Sequence, residues 1–183
     1  MVGSNPHCGN YPSDFRLSTF DFRRPRLAAG KGAAIVTTQY LEDFAAGQTF
    51  GSGRMRIDTE RIKSFAAEFD PQPFHLDEVA ARDSIFGGLA ASGWHTTAFT
   101  MKLLVGSELK PAGGLIGLGF DELRWPRPVR PGDELRVQTE VLEVRTSKSR
   151  PDQGLIKIRM TTLNQNGEPV QIAVGNLIVQ RRP

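Results

Sequence analysis

The chain has 183 residues, of which 39% are hydrophobic and 23% charged, and this composition fits one compact domain of ordinary size. The single cysteine, Cys8, excludes a disulfide framework and a cysteine-rich zinc site. The net charge of +3 lies entirely in residues 1–31, so the remaining 152 residues are neutral. They offer no basic aromatic surface of the kind that binds nucleic acid.

Residues 1–31 differ from the rest of the chain in composition. They contain three prolines and three glycines without a sustained apolar period, which predicts a loosely ordered basic tail followed by one domain over residues 32–183. The segment lacks the apolar core of a secretory signal. We therefore expect a cytoplasmic protein.

The next part of the chain predicts an extended segment followed by a helix. After the extended residues 50–57, Asp58 is a suitable N-cap. The following apolar residues recur with helical spacing: Ile62, Phe65, Ala66 and Phe69. This helix should end at Asp70, because a residue before proline is disfavoured in the α region.

Two further helices are predicted before the sheet. The prolines at 71 and 73 predict a rigid extended turn through His75, and Asp77 can cap a short helix that runs to Arg82. Residues 84–101 are uncharged but contain too many polar and glycine residues for a membrane span. We predict a helix from Leu89 to Val105 that is buried inside the protein.

The second half of the chain has the alternation of β-strands. Extended or alternating patterns cover residues 114–123, 135–141, 156–160 and 170–178, and Asn166-Gly167 predicts a hairpin turn. Helices followed by antiparallel strands favour an α+β fold in which a sheet packs on a central helix.

The motif Asp70-Pro71-Gln72-Pro73-Phe74-His75 carries the strongest chemical signal. Its two prolines fix the backbone, so a carboxylate and an imidazole can be held toward one cavity. Such a pair can remove one proton and deliver another, as hydration or dehydration of a double bond requires. The alternative is a capping aspartate and a buried histidine on a stiff loop.

Several separated motifs together resemble the MaoC-like dehydratases, which include the (R)-specific enoyl-CoA hydratases. They are Asp70-x-x-Pro73-x-His75, Phe86-Gly87-Gly88-Leu89, Ala91-Ser92-Gly93-Trp94-His95 and the segment from Arg124 to Asp133. The resemblance covers residues 41–179 in the same order. It implies a single hotdog fold, an antiparallel sheet wrapped around a long central helix. The family commonly has Asn where this chain has Gln72, and His-Gly where it has Ser92-Gly93.

The resemblance also implies a lyase reaction, the reversible addition of water to a trans-2-enoyl-CoA. Asp70 and His75 would act together as the acid/base pair. The backbone N–H of Gly93, at the start of the central helix, would stabilise the charge that develops on the thioester carbonyl.

Other residues near these motifs are weaker candidates. Thr96 and Thr97 are candidates to support the histidine, and Phe74 is a candidate substrate contact. Trp94 either shapes the acyl pocket or is a core aromatic residue. The cluster of Arg124, Arg127 and Arg130 either binds the phosphates of coenzyme A or forms a solvated face.

The resemblance implies no metal or redox cofactor, since the CoA thioester is itself the substrate. His75, Asp77 and His95 lack the spacing of a metal-binding helix, and His95 is better explained as a core histidine. Because members of this fold pair two hotdogs, the resemblance also implies a homodimer or larger even oligomer. A hotdog thioesterase and a non-catalytic acyl-binding subunit remain as alternative functions.

Overall fold

The computed structural model describes residues 37–183, so the predicted basic tail, residues 1–31, lies outside the described part of the chain. The described residues begin with a short 3-10 helix at Leu41–Asp43. The elements that follow are β1 (Thr49–Arg56), α1 (Thr59–Phe69), α2 (Pro73–Leu76), α3 (Glu78–Arg82), α4 (Gly93–Val105), β2 (Ile116–Arg124), β3 (Glu134–Thr146), β4 (Gln153–Leu163) and β5 (Pro169–Gln180).

Within residues 37–183 the strands form one five-stranded sheet in the order β1-β3-β4-β5-β2. Every neighbouring pair is antiparallel. Helix α4 contacts β1, β3 and β5, and alternate side chains of β3 and β4 are buried. Because a strand presents successive side chains to opposite faces, this alternation gives one face to the core. The described residues therefore have the predicted α+β hotdog architecture.

Local signals account for the predicted caps and the hairpin. The side chain of Asp58 accepts a hydrogen bond from the Arg61 N–H at 2.8 Å, and that of Asp77 accepts from the N–H groups of Val79 and Ala80. Gly167 adopts a φ of +78° in the β4–β5 turn, a conformation that glycine adopts without strain. The predicted start of α1, start of α3 and hairpin are confirmed.

Two predicted boundaries are wrong. The segment through His75 is not extended, because Pro73 begins the short helix α2, and proline is well suited to the first helical turn. The central helix begins at Gly93 rather than Leu89. Ala91 instead donates its N–H to the Val129 carbonyl at 2.9 Å, which draws the segment before α4 toward the loop after β2.

Helix α4 is buried on one side only. Its residues Trp94, Met101 and Val105 are exposed, so the prediction that the whole helix is buried inside the protein is wrong. No helix within residues 37–183 has the length and apolarity required to cross a bilayer.

A layer of polar side chains separates the first turns of α4 from the sheet. Thr100 and Thr162 are both buried, and their hydroxyl oxygens lie 2.6 Å apart. Gln171 of β5 is opposite Thr162 in the register of the sheet and is fully buried. The hydrogen bond between the two threonines lets their hydroxyls leave water at modest cost.

Candidate active site

Asp70 and His75 are brought together by the turn between α1 and α2. His75 Nε2 lies 3.4 Å from Asp70 Oδ2, and the exposed fractions of the two side chains are 5% and 19%. The α1 helix must end before Pro71, and α2 begins at Pro73, so the two side chains leave adjacent helix ends. The predicted pair therefore forms a compact, largely buried unit.

One hydrogen bond fixes the orientation of the His75 ring. Its Nδ1 lies 2.8 Å from the carbonyl oxygen of Ala90. Because a carbonyl can only accept, Nδ1 carries a proton, and Nε2 is the atom left to face Asp70. The site thus places one imidazole nitrogen and one carboxylate oxygen close enough for both to contact the same water molecule.

Asp70 is held as a carboxylate by its neighbours. Partial burial raises the pKa of Asp70, but hydrogen bonds from Ser92 and Gln72 and the nearby His75 lower it by more, so the pKa lies below its ordinary value. Ser92 Oγ donates to Oδ2 at 2.7 Å, and Gln72 Nε2 donates to Oδ1 at 2.6 Å. Asp70 is therefore ionised at neutral pH.

We expect Ser92→Gly to raise the pKa of Asp70 toward its ordinary value of 3.8, because the hydroxyl donor is lost. Ser92 is also the N-cap of α4, where its Oγ accepts from the Trp94 N–H at 3.2 Å. Glycine at an N-cap costs only a few tenths of a kcal/mol, against about 1 kcal/mol for alanine, so this variant separates the two roles.

Carboxyl carbon-13 NMR titration of Asp70 measures this effect, with Ser92→Thr as the variant that keeps the hydroxyl. A pKa of Asp70 that is the same in Ser92→Gly and the wild type would contradict the role of the Ser92 hydroxyl in lowering it.

The lowered pKa of Asp70 also makes stability depend on pH. The contribution of Asp70 to stability is present above its ordinary pKa and is lost as the pH falls through the lowered one. Ser92→Gly should therefore lose part of that contribution.

The pair opens onto a cavity of about 780 Å³. Its lining comes from the α1–α2 turn, the turn at 85–86, the start of α4 and the segment 125–130. Gly93 is the first residue of α4, so its N–H has no acceptor within the helix and lies at the positive end of the helix dipole. The predicted pair and the predicted oxyanion-binding residue thus share one cavity.

Two tryptophans form one wall of the cavity. Trp94 is 59% exposed and meets Trp125 edge to face, with 5.7 Å between the ring centroids. A core position for Trp94 is therefore wrong, and the side chain lies at the cavity instead. The predicted contact Phe74 lines the same cavity and packs against the rings of His75 and Phe86.

The predicted supporting threonines contact the start of α4. The hydroxyl of Thr96 donates to the Ser92 carbonyl at 3.2 Å, and that of Thr97 lies 3.0 Å from the Gly93 carbonyl. Sequence reasoning missed that Ser92 and Gln72 contact Asp70. One feature of the sequence could have indicated these contacts: Ser92 and Gln72 both differ from the residues that are common in the family that the chain resembles.

The three arginines between the end of β2 and β3 lie in different surroundings. Arg127 lines the cavity and pairs with Glu168 at 3.4 Å. Arg124 is mostly exposed and pairs with Glu122, and it is not among the residues that line the cavity. Arg130 donates to the carbonyl oxygens of three residues in the neighbouring turn, namely Phe86, Gly88 and Leu89.

His95 is a core histidine. Its ring stacks between Phe65 and Phe99, with centroid distances of 4.3 and 3.9 Å. Burial, helped by the charge of Arg61 and opposed by Asp58, lowers the pKa of His95 to about 4. The ring is therefore neutral in the folded protein at neutral pH.

We expect His95→Phe to flatten the loss of stability between pH 7 and pH 5. His95 resists protonation in the folded state but accepts a proton near its ordinary pKa of 6.5 when unfolded. The contribution of His95 to the free energy of unfolding is therefore complete above pH 6.5. It decreases as the pH falls toward 4, with a slope of up to about 1.4 kcal/mol per pH unit.

Urea unfolding of the wild type and His95→Phe at pH 8, 7 and 5 tests this expectation. The two proteins should lose similar stability between pH 8 and pH 7, and the wild type should lose more between pH 7 and pH 5. Equal losses over the lower interval would show that His95 is not the titrating group.

Comparison with known proteins places the chain in a family. It is 59% identical to a MaoC-like dehydratase from Rhodospirillum rubrum, with a TM-score of 0.77 and coverage of 79% of this chain and 99% of that one. An (R)-hydratase from Pseudomonas aeruginosa is 28% identical, with a TM-score of 0.60 and coverage of 79% and 86%. The uncharacterized protein YdeM of Bacillus subtilis (strain 168) is 32% identical over 76% of this chain and 96% of its own length.

The family model of the MaoC-like domain matches residues 43–162, which include the Asp70/His75 pair, the start of α4 and most of the sheet. This match spans more than half of the chain. The chain belongs to the MaoC-like domain family.

Proposed function

We propose that this protein is a hydro-lyase that reversibly adds water to the double bond of a trans-2-enoyl-CoA, giving a 3-hydroxyacyl-CoA. The observation that carries the proposal is the approach of His75 Nε2 to Asp70 Oδ2 at 3.4 Å beside the cavity. Relatives named as a dehydratase and an (R)-hydratase support the reaction class.

In the proposed reaction, one water molecule is held by hydrogen bonds to both the carboxylate of Asp70 and Nε2 of His75. The pair accepts a proton from water as the water oxygen bonds to C3, and the electrons of the double bond move toward the thioester carbonyl. C2 then takes a proton from the pair, which returns to its starting protonation state. The two groups titrate as one unit, so acid and base are not assigned separately.

The thioester oxygen gains negative charge during this step. We assign the Gly93 N–H to that oxygen, because it is a first-turn amide with no acceptor within the helix and lies at the positive end of the α4 dipole. Water and the thioester are the only reactants, and the proposed reaction needs no metal or redox cofactor.

Arg127 is the better candidate for the phosphates of coenzyme A, because it lines the cavity and its side chain is 46% exposed. Arg124 is the second candidate, since it lies at the end of β2 next to the same segment. The use of acyl-CoA further leads us to propose a cytoplasmic protein of fatty acid metabolism.

We also propose a homodimer or a larger even oligomer. Strand β2 is at the edge of the described sheet, and its apolar side chains are exposed: Ile116, Leu118 and Phe120. An exposed apolar edge strand favours pairing with another chain, and a second copy carries the same surface. Sedimentation equilibrium should give an even multiple of the chain mass, and a monomer at micromolar concentration would exclude this assembly.

A single assay separates the proposed function from its alternatives. Purified protein is mixed with crotonyl-CoA and with longer enoyl-CoAs, while the conjugated thioester absorbance and free thiol are followed together. Hydration removes the absorbance without releasing thiol. Thiol release without hydration would favour the thioesterase, and no reaction at any chain length would favour the non-catalytic acyl-binding subunit.

A further inference from the structure

We propose that Gln171 is a positioning residue that holds the indole of Trp125 against Gly93 and thereby sets the width of the cavity for the acyl chain. The positioning part of this inference stands on contacts alone. The acyl-selectivity part rests on the proposed function, because it takes the ligand to be an acyl thioester.

The contacts of Gln171 fix its orientation. The indole Nε1–H of Trp125 donates to Gln171 Oε1 at 3.0 Å, and the Thr97 hydroxyl lies 2.9 Å from the same oxygen. An indole nitrogen can only donate, so the oxygen of the carboxamide must face Trp125. Gln171 is fully buried on β5, which lies between β4 and β2, and thus ties a cavity side chain to an interior strand of the sheet.

Trp125 in turn lies directly over the start of α4. A Cβ built on Gly93 would lie 2.9 Å from two carbon atoms of the indole, closer than ordinary van der Waals contact. Trp125 also lines the cavity and meets Trp94 edge to face. The position of this indole therefore limits the space beside the Gly93 N–H.

A buried glutamine at position 171 lowers the stability of the fold if its role is only structural. Its Nε2 amide is buried and has no hydrogen-bond partner within residues 37–183. An unsatisfied buried donor destabilises a protein, and an apolar side chain of similar shape removes that cost. Gln171→Met removes that donor but also the acceptor of Trp125 and Thr97; the Thr97 hydroxyl retains the Gly93 carbonyl, and Trp125 is 40% exposed to water. The gain and the loss oppose each other, so we expect the variant to fold with a stability close to that of the wild type while it releases the indole.

The two tryptophans of the chain provide a direct readout, because both lie at this wall. Two indoles at 5.7 Å and an interplanar angle of 73° give coupled transitions that circular dichroism detects as a couplet. We expect the couplet to weaken in Gln171→Met and to persist in Gln171→Glu, whose carboxyl oxygen can still accept from Trp125. A couplet of wild-type strength in Gln171→Met would overturn the positioning role.

Selectivity is measured by calorimetric binding of octanoyl-CoA and butyryl-CoA, which lack the double bond. In Gln171→Met we expect the affinity ratio of octanoyl-CoA to butyryl-CoA to rise about three- to tenfold, the effect of one lost hydrogen bond. Trp125→Phe removes the donor of the same hydrogen bond. In a protein that already carries Trp125→Phe, adding Gln171→Met should therefore not change the affinity ratio further.

These outcomes separate the two proposals. A weakened couplet with an unchanged affinity ratio would overturn the selectivity role while leaving the positioning role intact. If neither thioester binds the wild type, the proposed function fails, and the couplet still decides whether Gln171 positions Trp125.

Discussion

We expect Asp70→Asn and His75→Asn each to lower the turnover of crotonyl-CoA by at least about 10²-fold, the usual size of a lost acid/base role. Asparagine keeps the size of the Asp70 side chain but cannot accept a proton, and at position 75 it removes the imidazole that faces Asp70. Turnover under saturating substrate is the quantity to measure, because the pair acts on the water that attacks rather than on binding.

Matched controls separate this chemistry from damage to the fold. Asp77→Asn changes the nearest capping aspartate, which contacts the N–H groups of Val79 and Ala80 and is not among the residues that line the cavity. His95→Phe changes the histidine that stacks between phenyl rings. Both controls should keep near-normal turnover. If either member of the Asp70/His75 pair can be replaced with little loss of turnover, the acid/base assignment is wrong.

The two substitutions should also be far from additive. Because Asp70 and His75 share one proton-transfer step, the double variant should be about as slow as the slower single variant. Two independent roles would instead multiply the losses. Circular dichroism and urea unfolding of each variant complete the measurement, since a lost step and a lost fold both lower turnover.

The sequence predicts those features of the fold that local patterns determine. Asp58 and Asp77 are caps because their side chains can reach amides two or three residues ahead. Asn166-Gly167 predicts the hairpin because glycine tolerates the positive φ that the turn requires. Alternation of apolar residues identifies β3, β4 and β5, since each strand has one face against the core.

The misplaced start of α4 shows where local patterns fail. Residues 89–91 are as apolar as the helix that follows, so periodicity alone cannot exclude them. Their backbone is instead bonded to distant segments, with Ala91 N–H on the Val129 carbonyl and the Ala90 carbonyl on the His75 ring. Such partners depend on tertiary contacts that the local sequence does not encode.

The same limit applies to the residues that support the site. Ser92 and Asp70 are 22 positions apart, and Gln171 and Trp125 are 46 positions apart. A short motif identifies the proposed acid/base pair, because Asp70 and His75 lie within six residues whose two prolines restrict the backbone. It carries no information about the serine that lowers the pKa of Asp70 or the glutamine that holds Trp125.

We expect Gly93→Ala to lower kcat/KM for crotonyl-CoA by about 10²-fold, the loss that a displacement near 1 Å can cause at a reacting centre. The backbone N–H is retained, and alanine is a better helix former than glycine. The cause is steric, because the new Cβ would lie 2.9 Å from the Trp125 indole and must displace it from the wall beside the N–H. The same variant should therefore weaken the couplet between Trp94 and Trp125.

The variant Trp125→Leu tests whether displacement of the indole causes this loss. In Trp125→Leu the indole is absent, so adding Gly93→Ala should cost much less than it does in the wild type. An undiminished loss in the leucine background would mean that the Cβ itself blocks approach of the carbonyl to the Gly93 N–H, since no indole remains to be displaced. Wild-type kcat/KM in Gly93→Ala would instead contradict the assignment of Gly93 to the proposed site. A methyl group that crowds the Trp125 indole beside the Gly93 N–H should disturb any thioester bound there.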